Sequence, residues 1–471
     1  MPVTTIDPAT GEPLETYEET GEREVDGILD SAHEATALWR TTPVSERAEA
    51  LRRIASALRA RSDDWAGLAT AEMGKPVKES RAEVEKCAVA CEWFAVHGPR
   101  MLVPEPVVTE AVRTEVVFTP LGVLFAIMPW NFPYWQVIRA LAPALMAGNP
   151  VVLKHAPSTT GCALAMREIT GAAGLPEGVF SVIVASVEQT PTMSERVIAD
   201  ERIAAVTLTG STGAGRAVAS IAGRALKKTV LELGGSDPFI VLADADVGAA
   251  AAFAARSRFQ NNGQSCISTK RVLLEEPIAE EFTELFVAAV KNLRVGDPSD
   301  PATDQGPLAR SDLRDAVEGQ VSRSLNLGAR VLTGGARLDG PGFFYEPTVL
   351  DHVTSDMPVM QEEVFGPAVP LVTVADETEA VHAANDTTFG LGSNVWTADL
   401  ERGEAIARKL NAGHTAVNGF TVSDPRLPFG GVKDSGYGRE LSRFGIQEFV
   451  NVHSVVIEGP KGPRSPVLAT E

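Results

Sequence analysis

Apolar residues in the first hundred positions recur with the period of an α-helix. Residues 23–97 show this spacing, interrupted at Pro43 and at Gly74-Lys75-Pro76, where the backbone is expected to break. Residues 112–120 differ, because apolar and polar side chains alternate there as they do in a β-strand. The pattern therefore predicts a helical N-terminal region followed by a strand.

From residue 121 onward, short apolar runs alternate with helical stretches. Strands separated by helices in this way form parallel sheets with crossover helices, so the chain is predicted to have an α/β fold. A second series of this kind begins near Pro238, and residues 450–458 alternate again as a strand. The strands predicted in the two series are 123–127, 150–153, 179–184, 205–209, 229–232, 271–274 and 395–396.

The composition is that of an ordinary globular protein. The 471 residues are 44% hydrophobic and 22% charged, and their number predicts two or three domains. The formal charge of −20 argues against a nucleic-acid partner, because phosphate backbones are bound by basic patches. No run reaches the ~18 uninterrupted apolar residues of a membrane span, and the first residues lack the pattern of a signal peptide. A cytoplasmic protein without a membrane partner is therefore expected.

The four cysteines fall into two kinds. Cys87 and Cys91 are four residues apart on a predicted helix, and no histidine or third cysteine lies at ligand spacing, so no metal site is expected. Cys266 lies instead among polar residues and a glycine, in the segment 261–268. A thiol at such a turn is a candidate nucleophile, whereas a structural cysteine is usually embedded in an apolar run.

Two further polar residues follow predicted buried strands. Asn131 lies between two prolines that restrict the backbone, so its carboxamide could donate to an oxyanion; an ordinary Asx turn is the alternative. Lys154 ends the strand 150–153, at the edge where open α/β sheets bind ligands. It could hold ribose hydroxyls or a phosphate, or it could be a solvated lysine.

A turn of small residues, 210–215, follows a strand and opens a helix. The free N–H groups of that helix could hold a phosphate, or the turn could simply be tight. Glu232 lies in an apolar strand, where a carboxylate must be paired, protonated or functional. It is a candidate general base, with a buried structural carboxylate as the alternative.

Two loops complete the set of candidates. Glu363, in the segment 362–367, could accept hydrogen bonds from ribose hydroxyls, or it could belong to a solvated acidic loop. Phe429 lies in the segment 427–433, where glycines permit close approach of the backbone. It could form the wall of a substrate site, or it could pack in the core.

Together and in this order, these segments resemble the NAD(P)-dependent aldehyde dehydrogenases over nearly the full length of the chain. The resemblance rests on Lys154 and on six sequence blocks in register. It implies a Rossmann-type cofactor domain, an α/β catalytic domain and a small β oligomerisation domain. The blocks are Pro-Trp-Asn-Phe-Pro, Gly-Ser-Thr-x-x-Gly, Leu-Glu-Leu-Gly-Gly, Gly-Gln-x-Cys, Glu-Glu-Val-Phe-Gly-Pro and Pro-Phe-Gly-Gly-x-Lys.

The resemblance also implies a mechanism. Cys266 would attack the aldehyde carbon, and the Asn131 carboxamide with the Cys266 backbone N–H would stabilise the oxyanion. Hydride transfer to the cofactor would leave a thioester, and Glu232 would activate the water that hydrolyses it to a carboxylic acid. Lys154 would serve both catalysis and cofactor binding. The other residues implied in cofactor binding are Trp130, Ser158, Gly210, Ser211, Gly215, Leu233, Gly234, Glu363 and Phe365.

Two positions depart from common patterns of the family. Many NAD-preferring members carry a glutamate three residues after the lysine, which binds the adenosine 2′-hydroxyl, but Pro157 stands there. Because no carboxylate repels a 2′-phosphate, we expect NADP to be accepted, with NAD as the alternative cofactor. Some members carry a second cysteine two residues after the nucleophile. Ser268 stands there instead, so no redox-sensitive disulfide to Cys266 is expected.

The segments 130–135 and 154–157 resemble the succinate-semialdehyde dehydrogenase branch. Such a substrate ends in a carboxylate, which arginine binds well through two parallel hydrogen bonds. Arg426 is the first candidate for this role, unless it is a surface residue paired with Asp424. Arg139, about two helical turns beyond the candidate oxyanion donor, is the second. The full predicted substrate site is Arg426, Arg139, Trp135 and Phe429.

The resemblance divides the chain into three parts. The cofactor domain would take residues 1–101 and 121–232, the catalytic domain residues 233–440, and the oligomerisation sheet residues 102–120 and 445–460. A partner subunit would cover the free edges of that sheet, in a homodimer or homotetramer. The alternatives to succinate semialdehyde oxidation are a broad aliphatic aldehyde dehydrogenase, a coenzyme A-acylating enzyme and an inactive binding homologue.

Overall fold

The structure, a computed structural model, describes residues 2–462. Its first part is a two-stranded hairpin followed by four helices and two strands, in agreement with the periods predicted for residues 23–97 and 112–120. The third helix ends at Gly74, whose φ of +80° closes it in the left-handed conformation that glycine permits. The elements of this part are β1 (Val3–Ile6), β2 (Pro13–Tyr17), α1 (Glu22–Thr41), α2 (Val44–Ala60), α3 (Ser62–Met73), α4 (Val77–Met101), β3 (Glu105–Val107) and β4 (Arg113–Pro120).

Strands and helices then alternate up to residue 232. The elements are β5 (Val123–Met128), α5 (Trp135–Ala147), β6 (Val151–His155), α6 (Thr160–Ala172), β7 (Phe180–Ile183), α7 (Thr190–Ala199), β8 (Ile203–Thr209), α8 (Thr212–Arg224) and β9 (Lys228–Glu232). The five strands are parallel and lie in the order β9-β8-β5-β6-β7. Because parallel strands end at one edge of a sheet, the segments that follow β5, β6, β8 and β9 lie side by side.

A second, seven-stranded sheet follows. The strands of this sheet and the helices between them are β10 (Asp237–Val241), α9 (Val247–Phe259), β11 (Thr269–Glu275), α10 (Ala279–Lys291), α11 (Ser311–Asn326), β12 (Arg330–Thr333), β13 (Thr348–Asp351), α12 (Pro358–Gln361), β14 (Ala368–Val374), α13 (Glu377–Asn385), β15 (Gly392–Trp396), α14 (Leu400–Ala407) and β16 (His414–Val417). The strand order is β12-β13-β14-β11-β10-β15-β16, with β12 antiparallel to its neighbour and the others parallel. The two parallel sheets confirm the predicted α/β fold.

The last elements return to earlier parts of the chain. They are β17 (Gly436–Tyr437), α15 (Ser442–Glu448) and β18 (Val450–Ile457). β17 pairs antiparallel with β9, so a segment from the range predicted for the catalytic domain joins the six-stranded sheet. β18 pairs antiparallel with β4 along its whole length, and β3 pairs with the other side of β4. The strands predicted near 112–120 and 450–458 therefore meet in one three-stranded sheet.

Two features of residues 2–462 concern the expected partners. No helix in this range is long and apolar enough to cross a membrane. Within the same range, no group of three or more histidine, cysteine, aspartate or glutamate side chains is arranged to hold a metal ion.

Candidate active site

Cys266 lies in a turn between α9 and β11 that has an unusual backbone. Asn261, Asn262 and Gly263 have φ values of +54°, +57° and +72°, in the left-handed region that L-residues rarely adopt in succession. The Asn262 carboxamide stabilises this turn with three hydrogen bonds of 2.7–2.9 Å to the backbone of two neighbouring loops. The polar residues before the thiol thus form a rigid turn that carries a half-buried Cys266.

The Asn131 carboxamide is bonded to this turn. Its Nδ2 donates to the Gln264 carbonyl at 3.0 Å. The side chain of Asn261 donates to the carbonyls of both Asn131 and Gln264, at 2.8 and 3.0 Å. An amide nitrogen has two hydrogens, so the second N–H of Asn131 is available to another acceptor. The predicted oxyanion donor and the predicted nucleophile therefore lie in one hydrogen-bonded unit.

A cavity of about 570 Å³ is lined by Cys266. Its apolar surface includes the rings of Trp135 and Phe429, and its charged surface includes Arg139. Cavities of this size, largely apolar with a few polar groups, bind small organic molecules. The structure thus brings together the predicted nucleophile and three of the four predicted substrate residues.

The surroundings of the Cys266 thiol favour its neutral form. Burial raises the pKa of the thiol from 9.0 to about 11, and the charges of Arg139 and Lys270 only partly oppose this effect. The thiolate is the reactive form of cysteine. The thiol must therefore lose its proton in the course of the attack.

Glu232 is the last residue of β9, and its side chain is buried with no hydrogen-bond partner for either oxygen among the described residues. Burial raises the pKa of this carboxyl well above its ordinary value, and nearby Glu440 acts in the same direction. A Cβ at Gly430 would come within 2.5 Å of Glu232 Oε1, so the backbone approaches the carboxyl closely. An unpaired buried carboxyl is costly, so a group of this kind is a candidate for a functional role.

Arg139 connects the cavity with the surroundings of Glu232. It is buried on α5, forms an ion pair with Glu440, and donates from Nη2 to Thr209 Oγ1 at 3.0 Å. Its guanidinium group lies 4.5 Å from the centre of the Phe429 ring. The positive charge of Arg139 lowers the pKa of Glu232, against the effect of burial. Glu232 itself does not line the cavity. It lies next to the cavity, beside the charged pair Arg139 and Glu440.

A second group of predicted residues lies at the edge where the six-stranded sheet ends. Lys154 on β6 is buried, makes no hydrogen bond or ion pair with a described residue, and has its pKa lowered by burial from 10.5 to about 8. The buried hydroxyl of Ser158 also has no partner among residues 2–462. Ser211 caps α8 by accepting from the Ala214 N–H at 3.3 Å, which leaves other N–H groups of the first turn free.

The predicted glycines allow the strand ends to approach each other. A Cβ at Gly215 would lie 2.5 Å from the Leu233 side chain, and one at Gly234 would lie 2.2 Å from the Glu363 carboxylate. Gly210 donates its N–H to the Glu232 carbonyl at 2.9 Å. These contacts place the turn after β8, the end of β9 and the Glu363 loop next to one another.

Glu363 is bonded to protein groups in this structure. Its Oε1 accepts from the Gly235 N–H at 3.0 Å and from Lys270 Nζ at 2.9 Å. Lys270 also donates to the Cys266 carbonyl at 2.8 Å. It therefore connects the loop that contains Glu363 with the turn that carries Cys266. Phe365 and Trp130 meet edge to face, with ring centres 5.7 Å apart. Glu363 and Phe365, the predicted cofactor residues of this loop, therefore lie beside the turn that carries Cys266.

The sequence model described as the aldehyde dehydrogenase family matches residues 1–455. The chain belongs to the aldehyde dehydrogenase family. It is 47% identical to the succinate semialdehyde dehydrogenase [NAD(P)+] Sad of Escherichia coli over 450 residues, 96% of both chains. It is 46% identical to the probable succinate-semialdehyde dehydrogenase [NADP(+)] of Synechocystis sp., over 97% of this chain and 100% of that one. The succinic semialdehyde dehydrogenase of Streptococcus pyogenes, solved with NADP+, is 37% identical with a TM-score of 0.94, covering 97% of this chain and 100% of the other.

The family and the fold predicted from the sequence are therefore confirmed. The aldehyde dehydrogenase family implies a nicotinamide dinucleotide, and the strand-end residues fit one. Lys154 and Ser158 offer buried donors without partners among residues 2–462, and the N-terminus of α8 offers free N–H groups. Such donors match the ribose hydroxyls and phosphates of a dinucleotide.

The structure corrects the first choice for the substrate carboxylate. Arg426 does not line the cavity, its side chain is 73% exposed, and its guanidinium group pairs with Asp424 at 2.6 Å. The two residues are two positions apart in one loop, so the short-range ion pair forms locally and directs the arginine toward solvent. Two arginines line the cavity, Arg139 and Arg256, and Arg139, the second choice, is the buried one.

Several residues at this aldehyde dehydrogenase site were not identified from the sequence. Glu83 on α4 accepts at 2.8 Å from the N–H groups of both Tyr134 and Trp135, which stabilises the segment that carries Asn131. Buried Arg258 donates to Ser268 at 2.7 Å and to two carbonyls of the Glu363 loop. The remaining residues in this set are Lys270, described above, and Lys86, which lines the cavity. No local pattern distinguishes any of them from residues of a solvated helix or an ordinary strand.

Proposed function

We propose that this protein oxidises succinate semialdehyde to succinate with NADP, through a thioester on Cys266. The observation that carries the proposal is the cavity in which Cys266 lies with apolar walls and with the cationic side chains Arg139 and Lys86. A short aldehyde with a distal carboxylate matches that combination of surfaces. The names of relatives at 46–47% identity, which are succinate-semialdehyde dehydrogenases, support the same substrate.

The residues of the chain would act in sequence. Cys266 releases its thiol proton to water as Sγ bonds to the aldehyde carbon, and the free N–H of Asn131 together with the Cys266 backbone N–H stabilises the negative oxygen. Lys154 and Ser158 would hold a nicotinamide dinucleotide, which would supply the hydride acceptor, and Cys266 would then carry the acyl group as a thioester. Glu232, once ionised, takes a proton from water, and the resulting nucleophile releases the carboxylic acid and regenerates the thiol.

We propose NADP as the preferred cofactor. Pro157 replaces the carboxylate that would repel a 2′-phosphate, and Lys154 and Ser158 offer donors that the protein does not use. The cofactor in the names of several relatives, and the NADP+ in the S. pyogenes structure, support this choice. NAD is the alternative cofactor, since the E. coli relative is named for both.

Steady-state kinetics test this proposal. We expect kcat/KM for NADP to equal or exceed that for NAD, and kcat/KM for succinate semialdehyde to exceed that for butanal, an uncharged aldehyde of the same length. NADPH or NADH formation, followed by absorbance, gives both ratios. A preference for NAD above about tenfold, or 1.4 kcal/mol, would contradict the cofactor assignment. Equal efficiency with the two aldehydes would favour a broad aliphatic aldehyde dehydrogenase.

Two other functions have less support. A coenzyme A-acylating enzyme does not need a water-activating base, and Glu232 is a buried carboxyl without a hydrogen-bond partner in the described part of this chain. An inactive binding homologue does not need Asn131 and Cys266 in one hydrogen-bonded unit. Addition of coenzyme A to the assay is expected to leave the product as free acid.

We propose a division into a cofactor domain, a catalytic domain and an oligomerisation sheet, with the boundaries given by the sequence. The six- and seven-stranded sheets support the first two parts. We also propose a cytoplasmic location, which is supported by four cysteines that are all free thiols.

The three-stranded sheet is expected to join subunits in a homodimer or homotetramer. β18 is an edge strand with exposed apolar side chains, of which Val452 is 62% and Val456 55% exposed in the single chain. Such edges are usually covered by a partner. Light scattering should give the mass of two or four chains, and the substitution Val452→Asp should lower it. A monomeric wild-type protein would contradict the assignment.

A further inference from the structure

Lys86 is a cation of the cavity that has no carboxylate partner among the described residues. It lies on α4, its Nζ donates to Ser423 Oγ at 2.7 Å, and the ammonium group stands 4.1 Å from the centre of the Trp135 ring. Both contacts orient the charge without neutralising it. All three side chains line the cavity that contains Cys266.

The other cationic side chains of the cavity differ from Lys86. Lys78 forms an ion pair with Asp304, and Arg139 forms one with Glu440. Arg256 is exposed, and its nearest recorded contact is the Phe420 ring at 5.9 Å. Lys86 alone in this set is both partly buried and free of an acidic partner.

The acids nearest to Lys86 are already engaged. Glu83, one helical turn earlier, accepts from two backbone N–H groups with Oε1 and pairs with Lys75 through Oε2. Asp424, next to Ser423, pairs with Arg426 through both carboxylate oxygens. Asp424 therefore forms its ion pair with Arg426 and forms none with Lys86 among the described contacts.

A half-buried ammonium group without a counter-charge is unfavourable, and burial lowers the pKa of Lys86 from 10.5 to about 8. The charges of Arg139 act in the same direction, and those of Glu83 and Asp424 act against it. A ligand that brings a carboxylate to this position would supply the missing counter-charge. The Trp135 ring, which lies against the ammonium group, would exclude water from one side of that ion pair.

We propose that Lys86, oriented by Trp135 and Ser423, binds the distal carboxylate of short ω-oxo acids and so determines the preference for charged over uncharged aldehydes. This inference rests on the proposed function, since it names the residue that selects its substrate. An ammonium group is a compact charge without the fixed fork of arginine. It therefore tolerates some variation in the length of the acid.

The test compares Lys86→Met, Lys86→Arg and the matched control Arg256→Gln, which removes one charge from the rim of the same cavity. Each enzyme is assayed with succinate semialdehyde and with butanal. We expect Lys86→Met to lower the ratio of the two kcat/KM values by about ten- to a hundredfold, chiefly through the KM of the charged aldehyde. Lys86→Arg should restore most of the ratio, and Arg256→Gln should keep it within about twofold.

Two results would overturn the role of Lys86. One is an equal loss on both aldehydes in Lys86→Met, which would indicate a structural effect. The other is a fall in the ratio with Arg256→Gln that matches the fall with Lys86→Met, which would indicate general attraction of anions. The proposed function is tested separately, on the wild-type enzyme. If the wild-type enzyme does not favour succinate semialdehyde over butanal, both the substrate assignment and the role of Lys86 are contradicted.

Discussion

Replacing Cys266 with alanine is expected to abolish aldehyde oxidation. Without the thiol no covalent adduct forms with the aldehyde, so the hydride-transfer step loses its tetrahedral intermediate. Removal of a catalytic nucleophile typically costs several orders of magnitude, and we expect kcat to fall by at least about 10⁴-fold. The measurement is NADPH formation from succinate semialdehyde.

The control for this substitution is Cys91→Ala, which removes a fully buried thiol from α4. It is expected to keep kcat within about threefold, with some loss of thermal stability from the smaller side chain. Thermal unfolding of both variants verifies that they fold. Turnover by Cys266→Ala at a rate close to that of Cys91→Ala would refute the role of Cys266.

Replacing Glu232 with glutamine is expected to separate the two halves of the reaction. The carboxamide fits the same space but cannot accept a proton from water, so hydrolysis of the thioester should slow by about 10²- to 10⁴-fold. Acylation does not require this base in the proposed sequence. A stopped-flow trace should therefore show a burst of one NADPH per site, followed by very slow turnover.

The pH dependence provides a second test of Glu232. Burial and the charge of Glu440 raise the pKa of the Glu232 carboxyl, and only the ionised form can accept a proton from water. In the wild-type enzyme, hydrolysis should accelerate as pH rises through this raised pKa and slow as pH falls below it. Glu232→Gln should lose this dependence. If Glu232→Gln is slow and shows no burst, Glu232 acts before hydride transfer, as the base that takes the proton of Cys266.

The fold was predictable because its signals are local. The helices α1 to α4 and the short apolar strands from β5 to β9 each span at most 25 residues of sequence, so their periods are visible locally. The candidates Cys266, Asn131 and Glu232 were recognisable for a similar reason. Each is a polar residue in a setting that ordinary packing does not explain, namely a polar turn, a proline-bounded segment and an apolar strand.

The residues that sequence analysis missed depend on contacts between distant segments. Lys86 lies on a helix with charged neighbours, and only the packing of α4 against α5 places it over Trp135. Lys270 contacts Glu363, which is 93 residues away, and so lies in no common motif with it. The prediction that Arg426 lies at the substrate carboxylate is not met by the structure, for the opposite reason. Its partner Asp424 is so close in sequence that the local ion pair outcompetes a role in the cavity.

The most direct test of the whole account is the mass of the covalent intermediate. The Glu232→Gln enzyme is mixed with succinate semialdehyde and NADP, quenched in acid within the burst, and digested. We predict one succinyl group on the peptide that contains Cys266, in an amount equal to the NADPH formed. NADPH formation with Cys266 unmodified, or with the succinyl group on another residue, would contradict the account.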